Sequence, residues 1–245
     1  MKLTLAEPRF FKEPIIIISD LVNEVVFRID RDKLELIAMD PANVAMVIYK
    51  LLSSVFVEYN IDEPKEIAVN LDNLKQVLRR AKPADTLTLE LLENKLKITL
   101  KSSSTRVFTL SLINMQEERQ KIPELDFKCM VEMPSNLFDE AIEDMDVVSD
   151  SVALEVQDNV FNIQAAGNIS TAKVSFVDGD IVKINNKGSS RSRYSVEYLK
   201  KIVKGGKLSD HMTLLFSNDY PLKVEYKIID KLSFSTILAP RVSND

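Results

Sequence analysis

Residues that enzymes commonly use for catalysis are scarce in this chain. Its 245 residues include five glycines, one cysteine and one histidine. So few glycines leave little room for a glycine-rich phosphate loop. The single histidine, His211, would have to carry a metal site or a catalytic triad by itself, and we place it in a loop before a strand. We therefore expect no enzyme, no cofactor, no metal site and no small-molecule substrate.

Disulfides and membrane segments are excluded in the same way. A single cysteine, Cys129, cannot form an internal disulfide, which favours a reducing intracellular compartment, and its strand-like context predicts an inert packed thiol. The only dense apolar run, Ile15–Ile18, is too short to span a membrane, and no signal peptide precedes it. The net charge of −5 argues against a general nucleic-acid coat but allows a local basic strip.

What the chain does have is an internal repeat, shifted by roughly 126 residues. Segment 70–82 realigns on segment 195–207, and both segments have cations at spacing i, i+4, i+7, which predicts one basic helix face in each half. A solvated face is the alternative, but recurrence favours salt-sensitive contacts to phosphates without base readout. The candidate DNA-facing residues are Lys12, Lys75, Arg79, Arg80, Lys82, Lys200, Lys201, Lys204 and Lys207.

Most of the remaining sequence alternates apolar and polar residues at period two, as in Thr86–Leu91 and Leu222–Tyr226. We predict an α+β protein of two similar domains, each an antiparallel sheet backed by two helices. The predicted boundaries are 1–113 for domain 1, 114–127 for a connecting loop and 128–245 for domain 2. Propensity favours a strand at Ile15–Ile18, whereas the repeat favours a helix with Pro14 near its first turn.

The helix that begins the second half is predicted to be acidic. Its carboxylates suit either a solvated face or, with an opposing partner, a divalent metal. If the helix lined a DNA channel, these side chains would repel phosphate. They are Asp139, Glu140, Glu143, Asp144 and Asp146.

Four ordered motifs carry a resemblance to a known family. Segments Met39–Val44, Ile122–Cys129, Tyr220–Ile229 and Leu238–Arg241 resemble the sliding clamps of the proliferating cell nuclear antigen (PCNA) type, in its archaeal form. The resemblance implies a DNA clamp fold in which three subunits close head to tail into a pseudo-sixfold ring around duplex DNA. Helices would line the hole. Such a processivity factor tethers DNA polymerase, flap endonuclease and DNA ligase in replication and repair, is opened by a clamp loader, and hydrolyses nothing.

The family's functional positions can be carried over residue by residue. All positions of its partner-peptide groove remain apolar here, although an aromatic residue is usual where Ile237 stands. They fall on Met39, Val44, Met46, Ile122, Pro123, Phe127, Pro221, Ile237, Leu238, Ala239 and Pro240. Subunit contacts would join the strand near Thr105–Leu112 to the strand near Ser170–Val177 of the next subunit, through Thr105, Val107, Thr109, Lys173 and Ser175.

The channel positions depart from the family's pattern. Glu140 and Glu143 stand where relatives often carry basic residues, which is easier to accept in one member of a heterotrimer than in a homotrimer. We expect a cytoplasmic, nucleoid-associated protein in an archaeon, or a nuclear one in a eukaryote. The alternative functions are a checkpoint-like clamp or interaction scaffold of the same fold, and a small-molecule enzyme in an α+β shell.

Overall fold

The computed structural model describes residues 1–114 and 120–241. The chain divides into two compact units. The first comprises Met1–Pro41, Val47–Gln120 and Ile228–Phe234, and the second comprises Ala42–Met46, Lys121–Lys227 and Ser235–Asp245. The division after Gln120 falls within the loop predicted at 114–127, of which 115–119 lies outside the described residues. Two short segments belong to the other unit than their position in the chain suggests, and the sequence did not predict this: Ala42–Met46 and Ile228–Phe234.

Most elements of the first unit precede the predicted loop. In chain order they are β1 (Lys2–Leu5), α1 (Arg9–Ile18), β2 (Glu24–Ile29), β3 (Lys33–Met39), β4 (Ala45–Leu52), β5 (Glu58–Asn60), β6 (Lys65–Asn70), α2 (Leu71–Leu78), β7 (Thr86–Leu92), β8 (Lys95–Lys101) and β9 (Thr105–Ser111). One five-stranded sheet has the order β5-β1-β7-β8-β9, and β6-β2-β3-β4 are neighbours in another.

The elements after the loop follow the same order. They are β10 (Cys129–Pro134), α3 (Ser135–Asp146), β11 (Ser151–Gln157), β12 (Val160–Ala166), β13 (Thr171–Val177), β14 (Lys183–Asn186), β15 (Ser190–Ser195), α4 (Val196–Ile202), β16 (His211–Phe216), β17 (Leu222–Ile228) and β18 (Leu232–Leu238). Strands β14-β10-β16-β17-β18 are successive neighbours, and β15-β11-β12-β13 form a four-stranded sheet. The internal repeat and the α+β prediction are confirmed.

The residues buried in each strand or helix follow the spacing of its apolar side chains. Alternate residues of β8, Leu96, Ile98 and Leu100, are buried, as period two requires. Helices α1 and α2 contact each other in the first unit, and α3 contacts α4 in the second. Helix α2 buries Leu71, Leu74, Val77 and Leu78, which form one stripe at helical spacing. No helix among the described residues is long and apolar enough to cross a bilayer.

Helix α1 settles the conflict at Ile15–Ile18 in favour of a helix, but Pro14 is not near its first turn. The helix begins at Arg9, so Pro14 lies in its interior. Proline has no amide hydrogen to donate to the carbonyl four residues back, which is that of Phe10. The hydroxyl of Tyr49 donates to this Phe10 oxygen instead, at 2.6 Å. A completely buried tyrosine from β4 thus replaces the lost helix bond.

Replacing Tyr49 with phenylalanine tests this compensation. Tyr49→Phe removes the donor and leaves the buried Phe10 carbonyl without it, so we expect the free energy of unfolding to fall by about 1–3 kcal/mol, measured by urea denaturation. Tyr59→Phe is the matched control, since the Tyr59 hydroxyl also donates to a backbone oxygen, that of Asp30, but at a partly exposed position. Equal losses in both variants would contradict the role given to Tyr49.

Candidate functional site

The predicted basic helix faces are shorter than expected. Helix α2 ends at Leu78, so Arg79 caps it and Lys82 lies beyond it. Helix α4 ends at Ile202, and a 3-10 segment, Val203–Lys207, carries the last two cations of the second set. The three cations of each half therefore do not share one α-helical face. The apolar faces of α2 and α4, which include Leu74, Leu78, Leu199 and Ile202, are buried.

Two cations of the repeat are held in ion pairs. Lys75 Nζ lies 2.9 Å from Asp20 Oδ1, and Lys200 Nζ lies 2.5 Å from Asp146 Oδ2. Asp20 and Asp146 are themselves related by the shift of the repeat, so the same pair occurs once in each unit. The hydrogen bond that the Lys200 ammonium donates to Asp146 is the main cause that raises the pKa of Lys200. Recurrence of Lys75 and Lys200 therefore has a structural explanation, which sequence analysis missed because their partners are distant along the chain.

Two further predicted cations also have partners. Lys12 Nζ donates to the backbone oxygen of Ala81 at 2.9 Å and is half-buried. Lys201 pairs with Glu197 one helical turn before it, at 2.9 Å, and lies over the Tyr198 ring. These side chains are partly committed to the fold, so they are weaker candidates for phosphate contact than the sequence indicated.

The exposed predicted cations follow α2 and α4. They are Arg79, Arg80, Lys82, Lys204 and Lys207. The segment after α2 is held by the buried carboxylate of Asp85, which accepts from the backbone amide of Lys82 and from the guanidinium of Arg106. The Lys82 hydrogen bond is the largest of the causes that lower the pKa of Asp85 to about 2, so this carboxylate stays charged. Arg106 also donates to the Arg80 oxygen at 2.8 Å.

Helix α3 is acidic along its exposed face, as predicted. All five carboxylate residues are exposed, and Asp146 at its end is the partner of Lys200. Partial burial, followed by the charges of Glu143 and Glu140, raises the pKa of Asp139. Among the described residues, no group of three or more His, Cys, Asp or Glu side chains could hold a metal ion. In the structure, the acidic helix α3 therefore forms an ion pair with α4, through Asp146 and Lys200.

Most predicted groove residues lie in the second unit. The Ala239 amide donates to the Val44 oxygen at 2.9 Å, which brings the segments around β4 and β18 together. Phe127 meets the ring of Tyr220 edge to face, with centroids 5.9 Å apart. Tyr220 was missed by sequence analysis. Its backbone oxygen accepts from the Tyr194 hydroxyl at 2.7 Å, which anchors the segment before Pro221.

The predicted groove positions differ in their exposure. Met46, Ile237 and Leu238 are buried, so a ligand would meet them as an underlying layer rather than directly. Positions that a ligand could touch are half-buried or exposed: Val44, Ile122, Pro123, Phe127, Pro221, Ala239 and Pro240. Met39 is half-buried in the first unit.

Strands β9 and β13 are the outer strands of their sheets. Every predicted contact residue on them is exposed: Thr105, Val107, Thr109, Lys173 and Ser175. The alternate residues are half-buried and mostly apolar, and sequence analysis did not single them out: Phe108, Leu110, Val174 and Phe176. An outer strand with free backbone groups and apolar side chains is suited to pairing with another strand.

Cys129 and His211, the single cysteine and the single histidine, both lie in strands of the second unit. Cys129 is the first residue of β10, and burial raises its pKa to about 12, so its thiol is protonated and inert at neutral pH. His211 is exposed at the start of β16 rather than in the loop predicted before that strand.

Comparisons with known proteins agree with this architecture. The N-terminal domain of proliferating cell nuclear antigen matches residues 1–136, and its C-terminal domain matches residues 121–241. The chain belongs to the PCNA family.

Individual relatives cover nearly the whole chain. A protein named DNA polymerase sliding clamp from Pyrococcus furiosus is 36% identical over 227 residues, 91% of each chain. One of the same name from Nanoarchaeum equitans is 32% identical and covers 98% of this chain and 99% of its own. The crystal structure of PCNA from Thermococcus kodakaraensis superposes with a TM-score of 0.92 at 26% identity, covering 98% of this chain and 99% of that one.

The two classes of cation in this PCNA-family chain can be separated by substitution. We expect Arg79→Gln and Lys207→Gln to weaken binding to duplex DNA more than Lys75→Gln and Lys200→Gln do, because Lys75 and Lys200 are held by carboxylates. Fluorescence anisotropy with short duplex DNA, at several salt concentrations, measures this. Each lost phosphate contact should reduce the slope of log affinity against log salt by about 1. A larger effect of the ion-paired lysines would contradict the assignment.

Proposed function

We propose that this chain is a subunit of a DNA sliding clamp, a ring that encircles duplex DNA and tethers replication and repair enzymes. The observation that carries the proposal is the match to the PCNA family over both halves of the chain, with the same element order in each half. Relatives with closely similar length are named DNA polymerase sliding clamp. The proposed role is processivity, with no catalysis and no cofactor of its own.

Ring closure would use the two outer strands. By the repeat, β9 corresponds to β18 and β13 corresponds to β4. The hydrogen bond from Ala239, which follows β18, to Val44, which precedes β4, joins the equivalents of these edges within the second unit. We infer that β9 of one subunit pairs in the same way with β13 of the next. Three such interfaces would close a trimer and leave no edge exposed.

The exposed cations after α2 and α4 would face the DNA. Diffuse contacts from Arg79, Arg80, Lys82, Lys204 and Lys207 suit this task, because a ring that holds DNA by encircling it needs only weak, sequence-independent attraction to slide. The carboxylates of α3 would reduce this attraction in every subunit that carries them. This supports, as part of the proposal, a heterotrimer in which sister subunits supply a more basic lining.

Partner enzymes would dock in the groove of the second unit. Apolar, half-buried positions around Val44, Phe127 and Ala239 fit short hydrophobic peptides, of the kind that DNA polymerase, flap endonuclease and DNA ligase would present. The clamp loader is the remaining expected partner. The proposed domains are 1–113 and 128–245, joined by 114–127, and the proposed location is the cytoplasm of an archaeon, on its chromosome.

The decisive experiment measures DNA synthesis on a primed circular single-stranded template with a cognate archaeal polymerase and clamp loader. We expect this chain, alone or with sister subunits, to increase the length of products made in one binding event. No increase in any combination would overturn the proposal. Light scattering on the chain alone separates the assemblies: a species of about three times 27.8 kDa indicates a homotrimer, and a monomer indicates missing sister subunits.

The subunit interface can be tested in whichever trimer forms. Val107→Glu and Ser175→Glu place a charge on β9 and β13, so we expect each to lower trimer stability by about tenfold or more in dissociation constant, measured by light scattering on dilution. The matched control is Leu92→Glu, a similarly exposed residue on β7, away from both edges. Trimers that persist unchanged in both edge variants would refute this interface.

The groove can be tested separately from the ring. Val44→Asp and Ala239→Asp should weaken binding of a fluorescent tail peptide from a polymerase or flap endonuclease by about tenfold or more, because each buries a charge against an apolar peptide. Val57→Asp, at an exposed apolar position of the first unit, is the control. Fluorescence anisotropy measures the affinities. Equal peptide binding by the unmodified chain and all three variants would contradict a peptide-binding groove at Val44 and Ala239.

A further inference from the structure

A cleft on the exposed face of the β13-β12-β11-β15 sheet is lined by Arg193 and by Lys173, and Lys173 is also one of the predicted subunit contacts. Cross-strand pairing places Arg193 opposite Ala153, Ala153 opposite Gln164, and Gln164 opposite Lys173. One row of side chains thus crosses all four strands and has long cations at both ends. With three steps of about 4.8 Å, the two end residues are about 14 Å apart along the sheet.

The cleft opens over Ala153 and over a neighbouring row of small side chains. Ala153 is the only member of the row that ends at Cβ, and the next row, given by the same register, contains Ser195, Ser151, Ala166 and Thr171. Ser151, Thr171, Lys173 and Arg193 all line the resulting cleft of about 270 Å³. This volume is below the range of drug-sized ligand pockets, so it suits a small group.

Some charged side chains at the cleft have hydrogen-bond or ion-pair partners and others do not. Gln164 Nε2 donates to Glu155 Oε2 at 2.8 Å, and Arg191 lies 3.9 Å from Glu155 Oε1, so the carboxylate on that side already has partners. Arg193 and Lys173 are different, because within the described residues neither side chain has a hydrogen-bond or ion-pair partner. The backbone oxygen of Arg193 accepts from the Arg241 amide at 2.7 Å, which holds the strand but leaves the guanidinium available.

We propose that this cleft binds a phosphoryl group, held between the Arg193 guanidinium and the Lys173 ammonium and bonded by the hydroxyls of Ser151 and Thr171. A guanidinium fork, an ammonium and two hydroxyl donors match the oxygens of a phosphate monoester. Glu155 would repel an anion from the opposite side, so the ligand lies toward Ser151 and Thr171. The source of the group is either a free phosphate compound or a phosphorylated residue of a partner protein.

The cleft lies at the margin of the proposed subunit interface but does not depend on it. Lys173 is a predicted contact residue because the main chain of β13 would pair with the next subunit, but its side chain stands on the face of the sheet beside Gln164. A ligand here would touch neither the exposed cations after α2 and α4 nor the groove around Val44. A failure of phosphate binding is therefore distinguishable from a failure of the proposed clamp function, since the first leaves the stimulation of DNA synthesis unchanged and the second leaves phosphate binding unchanged.

Line broadening of the ³¹P resonance measures binding of three probes to the full chain in its assembled state: inorganic phosphate, a nucleoside diphosphate and a phosphoserine peptide. Ionic strength is kept constant with sodium chloride. We expect saturable binding that weakens by about tenfold in Arg193→Gln and Lys173→Gln. The matched control is Lys183→Gln, since Lys183 is also an exposed strand lysine of the second unit but does not line the cleft.

The outcomes separate a built site from general attraction. Tighter binding of the phosphoserine peptide identifies a phosphorylated partner, whereas tighter binding of the free compounds identifies a small ligand, and both support the site. Equal losses in Lys173→Gln and Lys183→Gln, or no saturable binding of any probe, would overturn it. Displacement of phosphate by a glutamate peptide of higher affinity would also overturn it, in favour of a carboxylate site. Circular dichroism of each variant checks that the fold is retained.

Discussion

An antiparallel sheet that ends in an open strand leaves a row of amide and carbonyl groups without partners, and this constraint governs the proposed assembly. Strands β9 and β13 end their sheets in this way, with half-buried Phe108 and Phe176 beside the free backbone. Pairing the two edges between subunits would satisfy the backbone and cover the apolar side chains together. The proposed DNA-facing cations would form a ring lining only if these edges close.

The charged residues that recur in this repeat are of two kinds: some are held in ion pairs, and others are exposed to solvent. Lys75 and Lys200 recur with carboxylate partners at equivalent positions, Asp20 and Asp146, so their recurrence is explained by packing between helices. Arg79 and Lys204 recur at exposed positions just past the helix ends. Surface ion pairs of this kind contribute little to stability, but they remove charge from a surface that would meet phosphate.

Hydrogen bonds to backbone atoms anchor the proposed functional surfaces of the second unit. The Ala239 amide donates to the Val44 oxygen at the proposed groove, and the Tyr194 hydroxyl donates to the backbone oxygen of Tyr220, whose ring contacts Phe127. The bond from Arg241 to Arg193 likewise fixes the strand that bears one cation of the phosphate cleft. A hydrogen bond to a backbone atom holds its segment in place without using the side chain of the anchored residue.

By itself the sequence determined the α+β class, because periods of two and 3.6 residues are visible along a local stretch, and the two-fold repeat, because its two halves realign at one fixed shift. Tertiary structure alone decided that Lys200 meets Asp146, that Tyr49 replaces the bond lost at Pro14, and that Arg193 and Lys173 share a cleft. Each of these depends on residues at least 20 positions apart, and local periodicity contains no information about which distant segments become neighbours.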